Sequence, residues 1–531
     1  MLVIEGGENT YRADRDTLGA LSTPTSSNRT VSKGSYKIAS NDSLSFKSRQ
    51  FAEWGRRSRI DGNLQHTDGV IIVAFFLPVT LYRSASGKWS AQWDNENILS
   101  LDLSARASFV GCVRYLGLPI PVDEEEAVSV ALMGMNCHPI FIDQHTHYQF
   151  YDVFCKQHLW LLLHHVADVY GPLKQADIGA KGQQDLWFTY STVNRIFRDK
   201  VVEVFQAGDL VWIHGFHLML LPSFLRRFLQ VAKIGYFFHT PFPSSEIWRT
   251  MTRREDLLRG ILAADQIGFH LYEYARHFLT TCHRLIGVSS EMNAAGTLTV
   301  NVDGREVAVT CIHVGVDLPH VQQALAAPQF EVDVNKWREK FPRKTVVAGI
   351  DRLERLKGIP LKLIAIEQFL EEEPQWRGKL LFSMIGVSAF ERGDDYRQTQ
   401  LDVKVRVARI NSLYAQFEGD TVVHFEERKE KDIRLAQRLA FFASADVLMI
   451  TPTRDGLNRL PMEFTLARHQ AGLLHSSSGR GRTEGAGLSS QGVAIVSEFI
   501  SSARVMRGAL IVNPWNVEEV SHSSCLTNND T

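Results

Sequence analysis

From Val70 onward, short β-branched runs alternate with longer stretches that carry apolar residues at helical spacing. This alternation restricts the chain more than any other feature, because it specifies parallel sheets covered by helices, an α/β fold. In the first half, strands are expected at Val70–Phe76, Leu210–Ile213, Lys233–Phe238 and Gln266–Phe269, and helices at Phe154–Tyr170 and Tyr272–Leu285. Asp303 and Gly304, between Leu298–Val302 and Val307–Thr310, have the chemistry of a tight hairpin. A second series places strands at Thr345–Ile350, Lys379–Ile385, Thr421–Phe425, Val447–Thr451, Val493–Ser497 and Ala509–Val512. Ile359, Leu363, Ile366 and Leu370 recur at helical spacing behind Pro360, as in an amphipathic crossover helix.

Two Rossmann-like halves facing a cleft follow, over 67–335 and 336–520, with the boundary near Phe330–Arg343, where the run Val332–Lys344 is charged and includes Pro342. The Ser-, Thr- and Asn-rich residues 1–66 are expected to form a flexible leader. The Gly- and Ser-rich stretch 472–492 is expected to be an insertion, and 521–531 a polar tail.

Composition excludes several classes of function. Lys and Arg number 58 against 59 Asp and Glu, a net charge of -1, so the bulk cationic charge of a nucleic-acid binder is missing. The longest apolar run, Val70–Tyr82, is broken by Pro78 and falls short of the ~18 residues of a membrane span. With no secretory signal ahead of it, a cytoplasmic protein without a membrane partner is expected. Six scattered cysteines without a C-x-x-C pair suggest reduced, buried thiols. The one D-x-D, Asp14 and Asp16, lies in the leader, and H-E-x-x-H, G-x-S-x-G and P-loop patterns are absent, so no metal or cofactor is expected.

Chemistry concentrates where strands end, the edge at which open α/β sheets bind ligands. Arg352 and Lys357 sit between a strand and a helix, where two fixed positive charges and free amides suit a phosphate or diphosphate. Incidental cations at a solvated helix start would look the same. At the next such junction Asp455, Gly456, Leu457 and Asn458 are followed by Glu463 on a helix. Carboxylates that accept sugar hydroxyls around amides that face an anion suit a nucleotide sugar, although Asp455 as a cap and Gly456 as a turn explain the motif equally. His214 and His217, His239 and His270 end three more strands, where an imidazole can bond a sugar hydroxyl or simply pack.

These residues lie in LVWIHGFHLMLLP, KIGYFFHTPFPSSEIWR, AADQIGFHLYEYARHF, GIDRLERLKGIP, TRDGLN and ALIVNPWN. In these blocks, ordered between Val70 and Val520, the chain resembles the trehalose-6-phosphate synthase family, retaining glycosyltransferases of the two-domain GT-B type. The resemblance is to the eukaryotic branch, here without a following phosphatase-like domain. It implies transfer of glucose from UDP-glucose to glucose-6-phosphate, with homo- or hetero-oligomers as expected partners. It implies that Arg352 and Lys357 hold the donor diphosphate in place of a metal, that His239 and Asp455 contact the donor glucose, that Leu457 and Asn458 meet the diphosphate through amides, and that Glu463 meets the ribose. Tyr151, Trp160, Arg392 and Gly215 fall on the acceptor side.

Two positions depart from the family pattern. Gly215 stands where the family has an Asp that touches the acceptor sugar, and Phe76 where it has an Arg for the acceptor phosphate. The Gly-Gly donor loop is not recognisable, with Trp89 and Trp93 in its neighbourhood. The alternative function is therefore a weakly active regulatory or scaffold subunit that binds UDP-glucose. If the acceptor side has only lost one carboxylate, Gly215→Asp is expected to raise turnover.

Overall fold

Alternating residues of the central strands enter opposite cores, as the two-residue period of a strand dictates. Val347 and Met449 pack on one face of the second sheet, and Ala348, Leu448 and Ile450 on the other. The computed structural model describes residues 69–99, 107–166, 179–294, 296–340, 344–389, 393–477 and 492–526, with the side chains of 179–183, 474–477 and 524–526 excepted. The expected leader, Arg392 and residues 478–491 of the insertion lie outside the described residues.

The first sheet has nine strands. They are β1 Val70–Phe76, β2 Ala107–Cys112, β3 Cys137–Ile140, β4 Leu210–His214, β5 Lys233–Phe238, β6 Gln266–Phe269, β7 Ser290–Met292, β8 Leu298–Val302 and β9 Arg305–Cys311. Their order is β7-β8-β9-β6-β5-β4-β1-β2-β3, parallel from β9 to β3 and antiparallel only at the β7–β8–β9 edge. The hairpin expected at Asp303 and Gly304 is there: both residues have positive φ, 50° and 77°, and Val302 pairs with Arg305. Strands β2 and β3 escape pattern reading, since Gly111, Cys112 and the run Cys137–Ile140 with its His138 and Pro139 lack a β-branched signature.

The second sheet has six strands, β10 Thr345–Arg352, β11 Leu380–Val387, β12 Val423–Arg428, β13 Val447–Ile450, β14 Val493–Ser497 and β15 Leu510–Val512. Their order is β12-β11-β10-β13-β14-β15, all parallel. All eight residues of β11 are buried, the mark of a strand covered on both faces. Its helices include α3 Ile359–Glu372, α4 Leu435–Ala443, α5 Leu460–Ser477 and α6 Val517–Leu526; the first half contributes α1 Gly179–Val204 and α2 Tyr272–Ile286.

Three expectations need revision. The helix expected at Phe154–Tyr170 begins earlier and stops sooner. Asp143 caps its entry by accepting from the Thr146 amide at 3.0 Å, Tyr148–Leu159 winds as a π-helix, and Trp160–Leu163 completes it before His165 turns to a φ of 62°. The tail expected to fray from Ser521 continues instead as α6 through Leu526, because Val517 and Val520 join the core of α3 and the Ser521 hydroxyl donates to Glu372 at 3.2 Å. The charged run expected near the boundary is a helix, Pro328–Lys340, whose Phe330 and Val334 pack into the second sheet's core together with Val321 and Leu325.

Candidate active site

The ends of β1, β4 and β5 and the loop after β13 line an open cavity of about 340 Å³. Its first-sheet wall carries Phe75, Phe76, Gly215, His239 and Thr240, and its second-sheet wall Asp455, Gly456 and Leu457; Trp160 and His164 contribute from the π-helical segment and its exit. The two walls touch. A Cβ on Gly456 would lie 2.5 Å from the His239 carbonyl oxygen and 3.0 Å from Thr240 Cα, so only glycine permits this approach. Tyr274 of α2 donates its hydroxyl to the Asp455 carbonyl at 3.4 Å, tying the same loop to the first half.

On the second-sheet wall Lys357 Nζ donates to Asp455 Oδ2 at 2.6 Å, and Asn458 Nδ2 donates to the same oxygen at 3.2 Å. Burial by itself disfavours the Lys357 ammonium, but Asp455 and Glu354 outweigh it and hold its pKa above the ordinary lysine value, against the opposing charge of Arg352. The lysine therefore stays cationic although it is largely withdrawn from solvent. Gly358, with φ 67°, turns the chain immediately after Lys357, and its Cβ position is 2.5 Å from the Thr451 carbonyl oxygen. Asn458 also accepts from the Leu460 amide at 3.1 Å, so one side chain starts α5 and steadies Asp455. Asp351 is engaged elsewhere: Lys362 donates to it at 2.5 Å in a buried pair inside the β10–α3 unit.

Arg352, at the end of β10, stands 3.8 Å from Glu430 and within electrostatic reach of Lys357. Glu463, on the first turn of α5, is 3% exposed and accepts two hydrogen bonds from Arg438 of α4, from Nε at 2.9 Å and Nη2 at 3.1 Å. Arg438 is a residue the sequence reading missed; on α4 it has no local signature of its contacts.

On the first-sheet wall His214 Nδ1 and His239 Nε2 are 2.9 Å apart, a hydrogen bond between two imidazoles. Burial pushes both down to about 3, the neighbouring ring adding to the effect on His239. Two neutral rings share one proton position, and the buried His239 Nδ1 has no hydrogen-bond partner among the described residues. Gly215 lines the cavity with φ 84° and ψ 159°. Trp160 stacks on His164 with centroids 3.9 Å apart, a flat apolar face of the kind that covers a sugar ring.

Tyr151 does not reach the cavity lining itself. It stacks on Phe75 at 5.1 Å, meets Phe76 edge-on at 5.0 Å and backs the wall. The Phe76 ring carries the Arg114 guanidinium at 4.4 Å, and the Tyr151 ring the Lys156 ammonium at 4.1 Å. The π winding bonds i to i+5, the spacing at which Lys156 stands over the Tyr151 ring. Of the expected site residues, His239, Gly215, Trp160, Asp455 and Leu457 line the cavity, while Lys357 and Asn458 bond to a lining residue.

Residues 68–529 match the family model for Glycosyltransferase family 20. The chain belongs to that family. It is 35% identical over 463 residues to Arabidopsis thaliana UDP-forming alpha,alpha-trehalose-phosphate synthase 5, covering 86% of this chain and 52% of that protein. To synthase 6 of the same plant it is 34% identical over 521 residues, covering 91% and 59%. It therefore spans a little over half the length of these family 20 relatives. The fold is also that of the Candida albicans trehalose-6-phosphate phosphatase N-terminal domain, with a TM-score of 0.71 at 24% identity over 89% of this chain and 91% of that one. A Burkholderia xenovorans trehalose-phosphate synthase solved with glucose-6-phosphate superposes with a TM-score of 0.67 at 20% identity over 87% and 92%. The GT-B arrangement expected from the sequence is the one these structures share. Among the described residues no helix is long and apolar enough to cross a membrane.

Proposed function

We propose that the cleft is the active site of a glucosyltransferase that moves glucose from UDP-glucose to glucose-6-phosphate, giving trehalose-6-phosphate and UDP. The observation that carries this reading is the part-buried Lys357–Asp455 pair, held at 2.6 Å on the wall that faces His239. Lys357 and Arg352 hold the diphosphate and stabilise the charge that grows on it as the glycosidic bond breaks, the role a metal ion plays elsewhere. Asp455 accepts from a glucose hydroxyl, His239 Nδ1, which has no partner among the described residues, bonds another, Leu457 and Asn458 offer amides to the diphosphate, and Glu463 accepts from the ribose hydroxyls. Neither metal nor organic cofactor enters, and the setting is cytoplasmic.

On the acceptor side Phe76 replaces the strand-end arginine of the family pattern. Arg114 and Lys156, each seated on an aromatic ring behind that wall, are the cations offered to the acceptor phosphate. The acceptor hydroxyl attacks the anomeric carbon on the face that the diphosphate leaves, and its proton passes to the departing phosphate oxygen. Configuration is retained and rate depends on placement of two substrates more than on a shifted pKa.

The test is acceptor-dependent UDP release from the full chain, together with calorimetric titration of UDP-glucose. Release that requires glucose-6-phosphate is expected, and Lys357→Ala should weaken UDP-glucose by at least about tenfold. Saturable UDP-glucose heat without acceptor-dependent release would instead assign a sensing or scaffold subunit, the reading favoured by the glycine conformation at 215. No saturable heat at all would remove both.

A further inference from the structure

The cavity is bordered by a segment that lies outside the motif blocks read from the sequence. After the hairpin Val79–Arg83 and Trp89–Trp93, the residues Asp94–Leu99 form a self-braced loop: the Asp94 carboxylate accepts from the Glu96 amide at 3.2 Å, and the Asn97 side chain from the Leu99 amide at 3.0 Å. Ile98 and Leu99 line the cavity. Glu96 reaches across to the second sheet's helices. Its Oε1 accepts from the Leu435 amide, at the start of α4, at 2.9 Å; its Oε2 accepts from Arg438 Nη1 at 2.6 Å; and its backbone carbonyl accepts from Arg459 Nη2 at 2.8 Å. The same guanidinium forks onto both oxygens of Glu463.

We propose that Glu96 is a positioning residue for the nucleotide: through Arg438 it fixes the plane of the Glu463 carboxylate, and through α4 it holds the first half closed over the ribose end of the cleft. The proposal rests on the reading of Glu463 as the ribose contact. A guanidinium clamped between two carboxylates has one orientation, and a bidentate fork transmits that orientation to its partner. Arg438 is nearly buried, 12% exposed against 31% for the Glu96 side chain, so the outer carboxylate sets the position of an inner one that solvent barely reaches. Burial works against the charge on Arg438, but Glu463 and Glu96 overcome it and raise its pKa above the ordinary arginine value.

The experiment is calorimetric titration of UDP and of UDP-glucose into the full chain and its variants, with thermal midpoints recorded without ligand. Glu96→Ala is expected to weaken both ligands by the same factor, about fivefold to twentyfold, and to add nothing in a Glu463→Gln background, because residues that act through one another are non-additive. Glu96→Gln, which keeps the acceptor for the Leu435 amide, should recover part of the affinity. If Glu96→Ala does not fold, Glu96→Asp, one methylene too short to span Leu435 and Arg438 together, carries the same expectation.

Unchanged affinity in the variant tested, full additivity with Glu463→Gln, or tighter binding from removal of a carboxylate that excludes the nucleotide would each overturn the proposal. If the wild-type chain binds neither ligand, the parent reading and this proposal fall together. If the wild type binds and the Glu96 variants match it, the proposal falls by itself.

Discussion

Gly215 shows how a single position can mislead when only its side chain is considered. Room for an aspartate exists, since a Cβ there would meet only His217 Nδ1, at 3.5 Å. The obstacle is the backbone: φ 84° with ψ 159° is a region essentially restricted to glycine, and it is held by the Gly215 amide on the Phe237 carbonyl at 3.0 Å and by the Tyr236 hydroxyl on the Gly215 carbonyl at 2.7 Å. The expectation that Gly215→Asp simply restores a lost contact therefore does not survive the structure. Gly215→Asp and Gly215→Ala should both cost about 1–3 kcal/mol in denaturant unfolding, with no gain in acceptor-dependent UDP release. A gain confined to the Asp variant would show that the strand end can readjust.

At the level of strands, the ends of β4, β5 and β6 set His214, His239 and His270 side by side, with His239 and His270 centroids 5.4 Å apart. Burial pushes all three down to about 3, the neighbouring rings adding to it for His239 and His270, whereas an unfolded imidazole takes its proton near 6.5. Between those values the unfolded chain binds more protons than the folded one, so stability must fall as pH drops below 6.5. For His214, 5% exposed, the loss by pH 5 is up to about 2 kcal/mol. His214→Gln should flatten part of the slope of thermal midpoint against pH between 6.5 and 5; a slope identical to wild type would mean that the ring titrates normally.

The same strands show what was legible in the sequence. Lys233–Phe238, Gln266–Phe269 and Val493–Ser497 are where β-branched or aromatic runs put them, bounded by polar residues. Asp455 and Lys357 were visible as residue types at junctions, but their pairing joins positions 98 residues apart and has no local signature. The Glu96–Arg438 contact, 342 residues apart, had none either. The hairpin that leads into the Glu96 loop was hidden because Trp89–Trp93 follows a Gly-Lys turn inside a stretch read only for its tryptophans.

For the whole molecule, the decisive contact is Gly456 against the backbone of His239 and Thr240. Gly456→Ala puts a methyl group where a carbonyl oxygen already lies, and because both sides are backbone, the two sheets must separate rather than adjust a rotamer. A larger radius of gyration by small-angle scattering, unchanged far-ultraviolet circular dichroism and a loss of UDP-glucose affinity of about tenfold or more are expected. An unaltered radius with unaltered affinity would mean that the loop after β13 can retreat within its own half.

That loop is shaped partly by its neighbour, through the Tyr274 hydroxyl on the Asp455 carbonyl as well as through Gly456. The two halves of this chain are consequently not interchangeable cassettes. A hybrid that grafts one relative's front half onto another's back half inherits an intact cavity between them only if the pieces bearing Tyr274 and Asp455 come from matched ancestors, so drift on either side of the seam has to be answered by drift on the other.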